Sequence, residues 1–144
     1  MSRIFKSALS RRVLKRFMLG LVLAVLYQTA MAQHGHPLVG TWSGDWKGAD
    51  GQAGRVLLVL KFDADQVISG NIIEGTVRSP ITEGTLDPDT WTVTLKAEQK
   101  DKSGATVPVQ IEGVIENLGS TTERAIVGTW QKGNTRSDLR VVIN

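Results

Sequence analysis

From residue 38 onward the chain alternates. Trp91, Val93, Leu95 and Ala97 fall on one phase, and Thr92, Thr94, Lys96 and Glu98 on the other. Val107, Val109, Ile111, Gly113 and Ile115 likewise oppose Pro108, Gln110, Glu112 and Glu116. Successive side chains of a strand point to opposite faces, so a period of two predicts half-buried strands with one apolar and one polar face. Runs rich in Val, Ile, Thr, Trp and Leu recur every 8 to 14 residues, cut by clusters of Gly, Asp, Asn, Pro and Ser. They predict eight strands: Val39–Lys47, Arg55–Phe62, Gln66–Val77, Ile81–Leu86, Trp91–Glu98, Thr106–Glu116, Arg124–Gln131 and Asp138–Ile143. Gly70 and Gly75 mark a bulge or bend in the third run. Ser79-Pro80 and Asp87-Pro88-Asp89 read as turns. No helical period interrupts the series.

Eight half-apolar strands without a covering helix leave an exposed apolar face and two open edges. Closing the sheet on itself removes both. The expected fold is therefore all-β, an antiparallel up-and-down eight-stranded β-barrel, with a two-sheet β-sandwich as the alternative. The tetrapeptide Val-Gly-Thr-Trp occurs at Val39–Trp42 and again at Val127–Trp130. The first copy opens strand one and the second closes strand seven. Odd strands of a meander run the same way, so Trp42 and Trp130 are expected at opposite ends. In each copy Gly permits close approach while Trp fills space two residues on.

The first 32 residues differ in kind. Ser2 to Arg16 carries six basic residues and no acidic one, Phe17 to Tyr27 is apolar throughout, and Ala30-Met31-Ala32 follows. That is the layout of a cleavable, helical signal peptide with an A-x-A site. Its eleven apolar residues fall short of the about 20 that span a bilayer. Ser10-Arg11-Arg12-Val13-Leu14 resembles a twin-arginine signal. Export to the periplasm or medium, by the Sec or the twin-arginine route, is expected, with membrane association only through the uncleaved leader. The division is then 1–32 signal peptide, 33–37 flexible tail and 38–144 barrel.

The leader changes the charge balance. It holds six of the 17 basic residues and none of the 14 acidic ones, so the remaining 112 residues carry 11 and 14, a net of −3. An acidic domain does not attract phosphate backbones, which argues against nucleic acid as a partner. The chain has no cysteine, so its core must hold the fold unaided.

Catalytic chemistry is sparse. The two histidines, His34 and His36, precede the first strand. They are weak metal candidates, suited to Cu(II) or Ni(II) together with a terminal amine. The paired aspartates Asp63/Asp65 and Asp87/Asp89 read as turn caps. No nucleophile, acid and base set appears, so the expectation is a protein that is not an enzyme and uses no cofactor.

Gly40-Thr41-Trp42 early in strand one, about eight meandering strands and a basic residue in the last strand resemble the calycin superfamily, which includes lipocalins and avidins. The resemblance implies barrel closure by Gly40, Trp42 and Arg140, the guanidinium lying across the indole. Side-chain phase opposes this, because Leu139, Val141 and Ile143 define the apolar face of strand eight. Length, Trp91-Thr92-Val93 and Asp138 resemble avidins in particular. Gly44, Ile72, Val107 and Val109 stand where avidins place polar groups for the ureido ring, which argues against tight biotin binding.

Tryptophan then supplies the candidate site. Trp46, Trp130 and Asp138 are expected to frame an open mouth, with walls from Leu58, Leu60, Val93, Leu95, Val109 and Ile111. Such a mouth suits a small hydrophobic or aromatic ligand with one polar handle. The alternative is a protein partner, inhibited or bound through the barrel rim and the 33–37 tail.

Overall fold

The computed structural model describes residues 35–63 and 67–144. The expected signal peptide, and Gln33 and His34 of the tail, lie outside the described residues. Among the described residues no helix is long and apolar enough to cross a membrane. The strands are β1 (Gly40–Gly48), β2 (Ala53–Phe62), β3 (Ile68–Glu74), β4 (Val77–Asp87), β5 (Thr92–Lys100), β6 (Thr106–Glu116), β7 (Ala125–Lys132) and β8 (Thr135–Ile143). Each pairs antiparallel with its neighbour in sequence, and β8 returns to β1 through Trp42↔Ile143, Trp46↔Leu139 and Gly48↔Ser137. The sheet is a closed barrel rather than a sandwich.

Turn chemistry moves several boundaries. β3 and β4 meet through Gly75-Thr76, with Glu74 paired to Val77 and Gly75 at φ +59°. β7 and β8 meet through Gly133-Asn134, with Lys132 paired to Thr135 and Gly133 at φ +58°. A two-residue hairpin with a left-handed first position selects glycine there. Ser79-Pro80, expected as a turn, therefore lies inside β4, where Pro80 pairs with Asn71 beside a bulge between Ile81 and Glu83. Trp91, expected as the first residue of strand five, sits just before β5 at φ +57°, a conformation bulky side chains rarely adopt. Its carbonyl accepts the Ile115 amide at 2.9 Å. Asp87 caps the same turn, its Oδ1 accepting the Asp89 amide at 2.9 Å. That hydrogen bond leads the causes that hold its carboxyl below the ordinary range.

The alternation read from sequence sorts the walls as expected. Val56, Leu58 and Leu60 of β2, Val93, Leu95 and Ala97 of β5, and Leu139 and Val141 of β8 are buried inside. The two Val-Gly-Thr-Trp copies stand at opposite ends. Trp42 pairs with Leu58 and Ile143, whereas Trp130 pairs with Ile111 and Ser137. Gly128 of the second copy lies against the backbone of Glu112 and Gly113, where a Cβ has no room.

One end is plugged by the residues just before β1. Leu38 is fully buried in the core, and its carbonyl accepts Trp42 Nε1–H at 2.9 Å. Arg124 donates to the carbonyls of Pro37 at 2.9 Å and Leu118 at 3.0 Å. His36 stacks on Phe62, ring centroids 3.7 Å apart and planes within 10°. Residues 36 and 37 of the expected flexible tail thus belong to the plug. The guanidinium of the closed end is Arg124 and not Arg140. With Leu139 and Val141 inside, Arg140 points out of the barrel, where it faces Glu116 at 3.5 Å with about half of each side chain exposed.

Two outcomes follow at this end. Arg124→Met strands two carbonyls and should lower unfolding stability by about 1–3 kcal/mol in urea, whereas Arg140→Met should stay within about 0.5 kcal/mol. Equal losses would restore Arg140 as the closing cation. Burial holds His36 below its ordinary 6.5, so the folded state favours the neutral ring. The unfolded chain binds the extra proton first, so this contribution is complete above about pH 6.5 and is lost as pH falls through the lowered folded value. The stability advantage of the wild type over His36→Gln should shrink between about pH 7.5 and about 5.5; an advantage that grows would refute it.

Candidate functional site

The odd strands all end at the opposite, open mouth. Trp46 of β1, Glu74 of β3, Gln99 of β5 and Lys132 of β7 are their last inward side chains, since Gly48 beyond Trp46 has none. Their phase follows from buried residues two positions earlier: Ile72 before Glu74, Ala97 before Gln99 and Trp130 before Lys132. The inward residues Ser79 of β4 and Ser137 of β8 join the ring and are buried, at 2% and 4% exposure, and β6 adds Val107, paired with Gln99. Below it the interior is apolar.

Glu74 and Lys132 bridge this ring. Lys132 Nζ lies 2.7 Å from Glu74 Oε2, with side-chain exposures of 33% and 19%. β3 and β7 are four strands apart in a barrel of eight, so they form opposite walls. The ion pair therefore spans the mouth. Partial burial reduces solvent screening, which makes this pair stronger than the exposed pairs of the outer wall.

Trp46 and Gln99 occupy the other pair of opposite walls. Trp46 Nε1, Gln99 Oε1 and Ser137 Oγ are buried with no hydrogen-bond partner among the described residues. An unpaired buried polar group costs about 1–3 kcal/mol, so three such groups in one layer weigh against a purely structural mouth. Trp46 is fixed by β2: a Cβ on Gly54 would lie 2.7 Å from its Nε1 and Cε2. The indole thus lies across a position where only glycine fits.

The sequence-derived site is partly brought together. Trp46 and Trp130 reach the open end as expected, Trp130 at 2% exposure lying beneath Lys132. Asp138 reaches the same end but faces outward, because Ser137 and Leu139 on either side are buried. It lines a rim cleft of about 510 Å³ with Lys47, Arg136 and Ser137. Leu58, Leu60, Val93, Leu95, Val109 and Ile111 are at most 2% exposed and pack as the floor below the mouth. They do not line this cleft, nor two further clefts on the outer wall, one of them about 420 Å³ beside Ser43, Leu57 and Ile73.

Glu74, Ser79, Gln99, Lys132 and Ser137 are absent from the sequence-derived site. For Gln99, Lys132 and Ser137 the signal was the alternation itself, carried too short a distance; Ser79 was read as a turn, and Glu74 lay inside the expected third strand in phase with Ile72. Ending strand five at Glu98 placed Gln99 in a loop, and starting strand eight at Asp138 passed over Ser137. Of the weak metal candidates, His34 lies outside the described residues, and His36 Nδ1 accepts from the Leu38 amide at 3.4 Å. Among the described residues no group of three or more His, Cys, Asp or Glu could hold a metal ion.

The fold and site together define a class: an eight-stranded antiparallel closed barrel, plugged at one end and lined with polar groups at the other. No family profile, curated protein or solved structure matches this chain.

The seat of Trp46 is open to test. Gly54→Ala should displace the indole, shift tryptophan emission to the red and lower stability by about 1–3 kcal/mol, the usual cost of overpacking. Unchanged emission would mean that Trp46 does not depend on Gly54.

Proposed function

We propose that this is an exported, calycin-like binding barrel that holds a small ligand at its open mouth and catalyses no reaction. The observation that carries the reading is the set of buried, unpartnered atoms Trp46 Nε1, Gln99 Oε1 and Ser137 Oγ at the end of the barrel that the Glu74–Lys132 bridge spans. A ligand supplying their partners gives these atoms hydrogen bonds that no described group of the barrel provides. The dense apolar floor limits depth, so the ligand is small and sits high, against Trp46. This differs from a deep apolar pocket in one respect: polar complementarity dominates and the aromatic surface is secondary. Export rests on the leader pattern, and the calycin likeness on the meander and the Gly-Thr-Trp start.

Gln99→Leu separates a binding role from a structural one. Leucine resembles glutamine in shape but needs no partner, so the variant should gain about 1 kcal/mol in thermal or urea unfolding. It should also lose the tryptophan quench that a bound small molecule produces in the wild type. A variant that unfolds more easily makes Gln99 structural. If no compound from a broad panel of small polar, aromatic and aliphatic molecules perturbs Trp46 emission, the mouth is not a binding site.

A further inference from the structure

We propose that the mouth selects a small zwitterion, a molecule carrying a carboxylate and an ammonium a few bonds apart, as in a free amino acid. The inference rests on the mouth reading above and adds the chemical class of its occupant. The ring contains two complementary halves. Trp46 Nε1–H is an unpartnered donor and Lys132 a cation. Gln99 Oε1 is an unpartnered acceptor and Glu74 an anion. Ser137 Oγ, also unpartnered, can serve either half.

Charge conservation within the mouth decides between ligand classes. Glu74 and Lys132 satisfy one another at 2.7 Å in the free protein. A simple anion that took Lys132 would leave a half-buried Glu74 without its cation, and a simple cation that took Glu74 would strand Lys132. Breaking one side of such a pair is costly because the remaining charge is uncompensated. A neutral molecule offers neither charge a replacement, so it gains nothing by opening the bridge. A zwitterion inserted into the bridge replaces each partner with one of the same sign, so no charge is left over. Its carboxylate would meet Lys132 and the Trp46 N–H, and its ammonium Glu74 and the Gln99 oxygen. Charge-assisted hydrogen bonds of this kind are the stronger ones. Its side chain would then lie against the half-buried Trp46 at the rim.

Three probes of one body test this by isothermal titration calorimetry: L-phenylalanine, phenylpropanoate, which lacks the ammonium, and phenethylamine, which lacks the carboxylate. Phenylalanine should bind at least about tenfold more tightly than either analogue, the loss expected for one charge-assisted contact. The bridge variants should cross over. Glu74→Gln should weaken phenylalanine by about tenfold while leaving phenylpropanoate no weaker, and Lys132→Met should weaken phenylalanine while leaving phenethylamine no weaker. A general loss of folding would weaken all three together, and circular dichroism of each variant checks it directly. An analogue that matches phenylalanine in the wild type overturns the zwitterion class. So does a neutral compound such as phenylacetamide that binds where phenylalanine does not, and in both cases the mouth remains a binding site. Absence of any Trp46 response across all four probes and the broader panel overturns both readings.

Discussion

The ladder between β1 and β8 is the constraint on which the rest depends. Seven pairs from Trp42↔Ile143 to Gly48↔Ser137 join the first strand to the last. Without them the meander would be an open sheet with two unpaired edges and one uncovered apolar face. With them, the inward phase of every strand faces the others across a shared interior. The same ladder sets Trp42 beside Ile143 at the plug and places Ser137 next to β1 at the mouth. Both ends of the molecule are thus consequences of one closure.

The two ends solve the closure problem differently. At the plug Trp42 Nε1 donates to Leu38, and Arg124 to Pro37 and Leu118. Among the described residues, Arg124 Nε is the one buried side-chain atom there without a partner. At the mouth the polar groups face inward, and three of the buried ones find none. A barrel needing nothing more than stability would carry leucine or valine at those positions, since removing a buried unsatisfied group is stabilising by about 1–3 kcal/mol. Functional sites are where local rules of stability are commonly broken. The asymmetry between the two ends is what supports the proposed binding role of the mouth.

In the proposed reading, the Glu74–Lys132 bridge gives that end its selectivity. The residues are 58 apart in sequence and meet only because β3 and β7 stand on opposite walls. Nothing in their local sequence distinguishes them from surface charges. Glu74 and Lys132 each stand immediately before a two-residue hairpin, and those tight turns end β3 and β7 at the mouth. Hairpin chemistry at Gly75 and Gly133 therefore shapes the mouth as much as the charged residues do.

Much of the architecture was written in the alternation. The inward sets Val93, Leu95, Ala97 and Val109, Ile111, Gly113, Ile115 follow from a period of two, because a strand offers only two faces. The outward phase of Arg140 was legible for the same reason, against the resemblance that set it over Trp42. The opposite placement of Trp42 and Trp130 followed from strand direction. Other features needed the closed fold. Strand ends are weakly specified locally, so Gln99, Ser137 and Lys132, just outside the expected strands, were hidden there, whereas Glu74 lay inside an expected strand and only its partner across the barrel was missing from the sequence. Pro80 inside β4 depended on a bulge that only the pairing of β4 with β5 creates. Which polar atoms are buried without partners is a property of the whole interior. Sequence decided which face each residue takes; tertiary closure decided which faces meet, because a barrel brings together residues whose separation along the chain carries no trace of their contact.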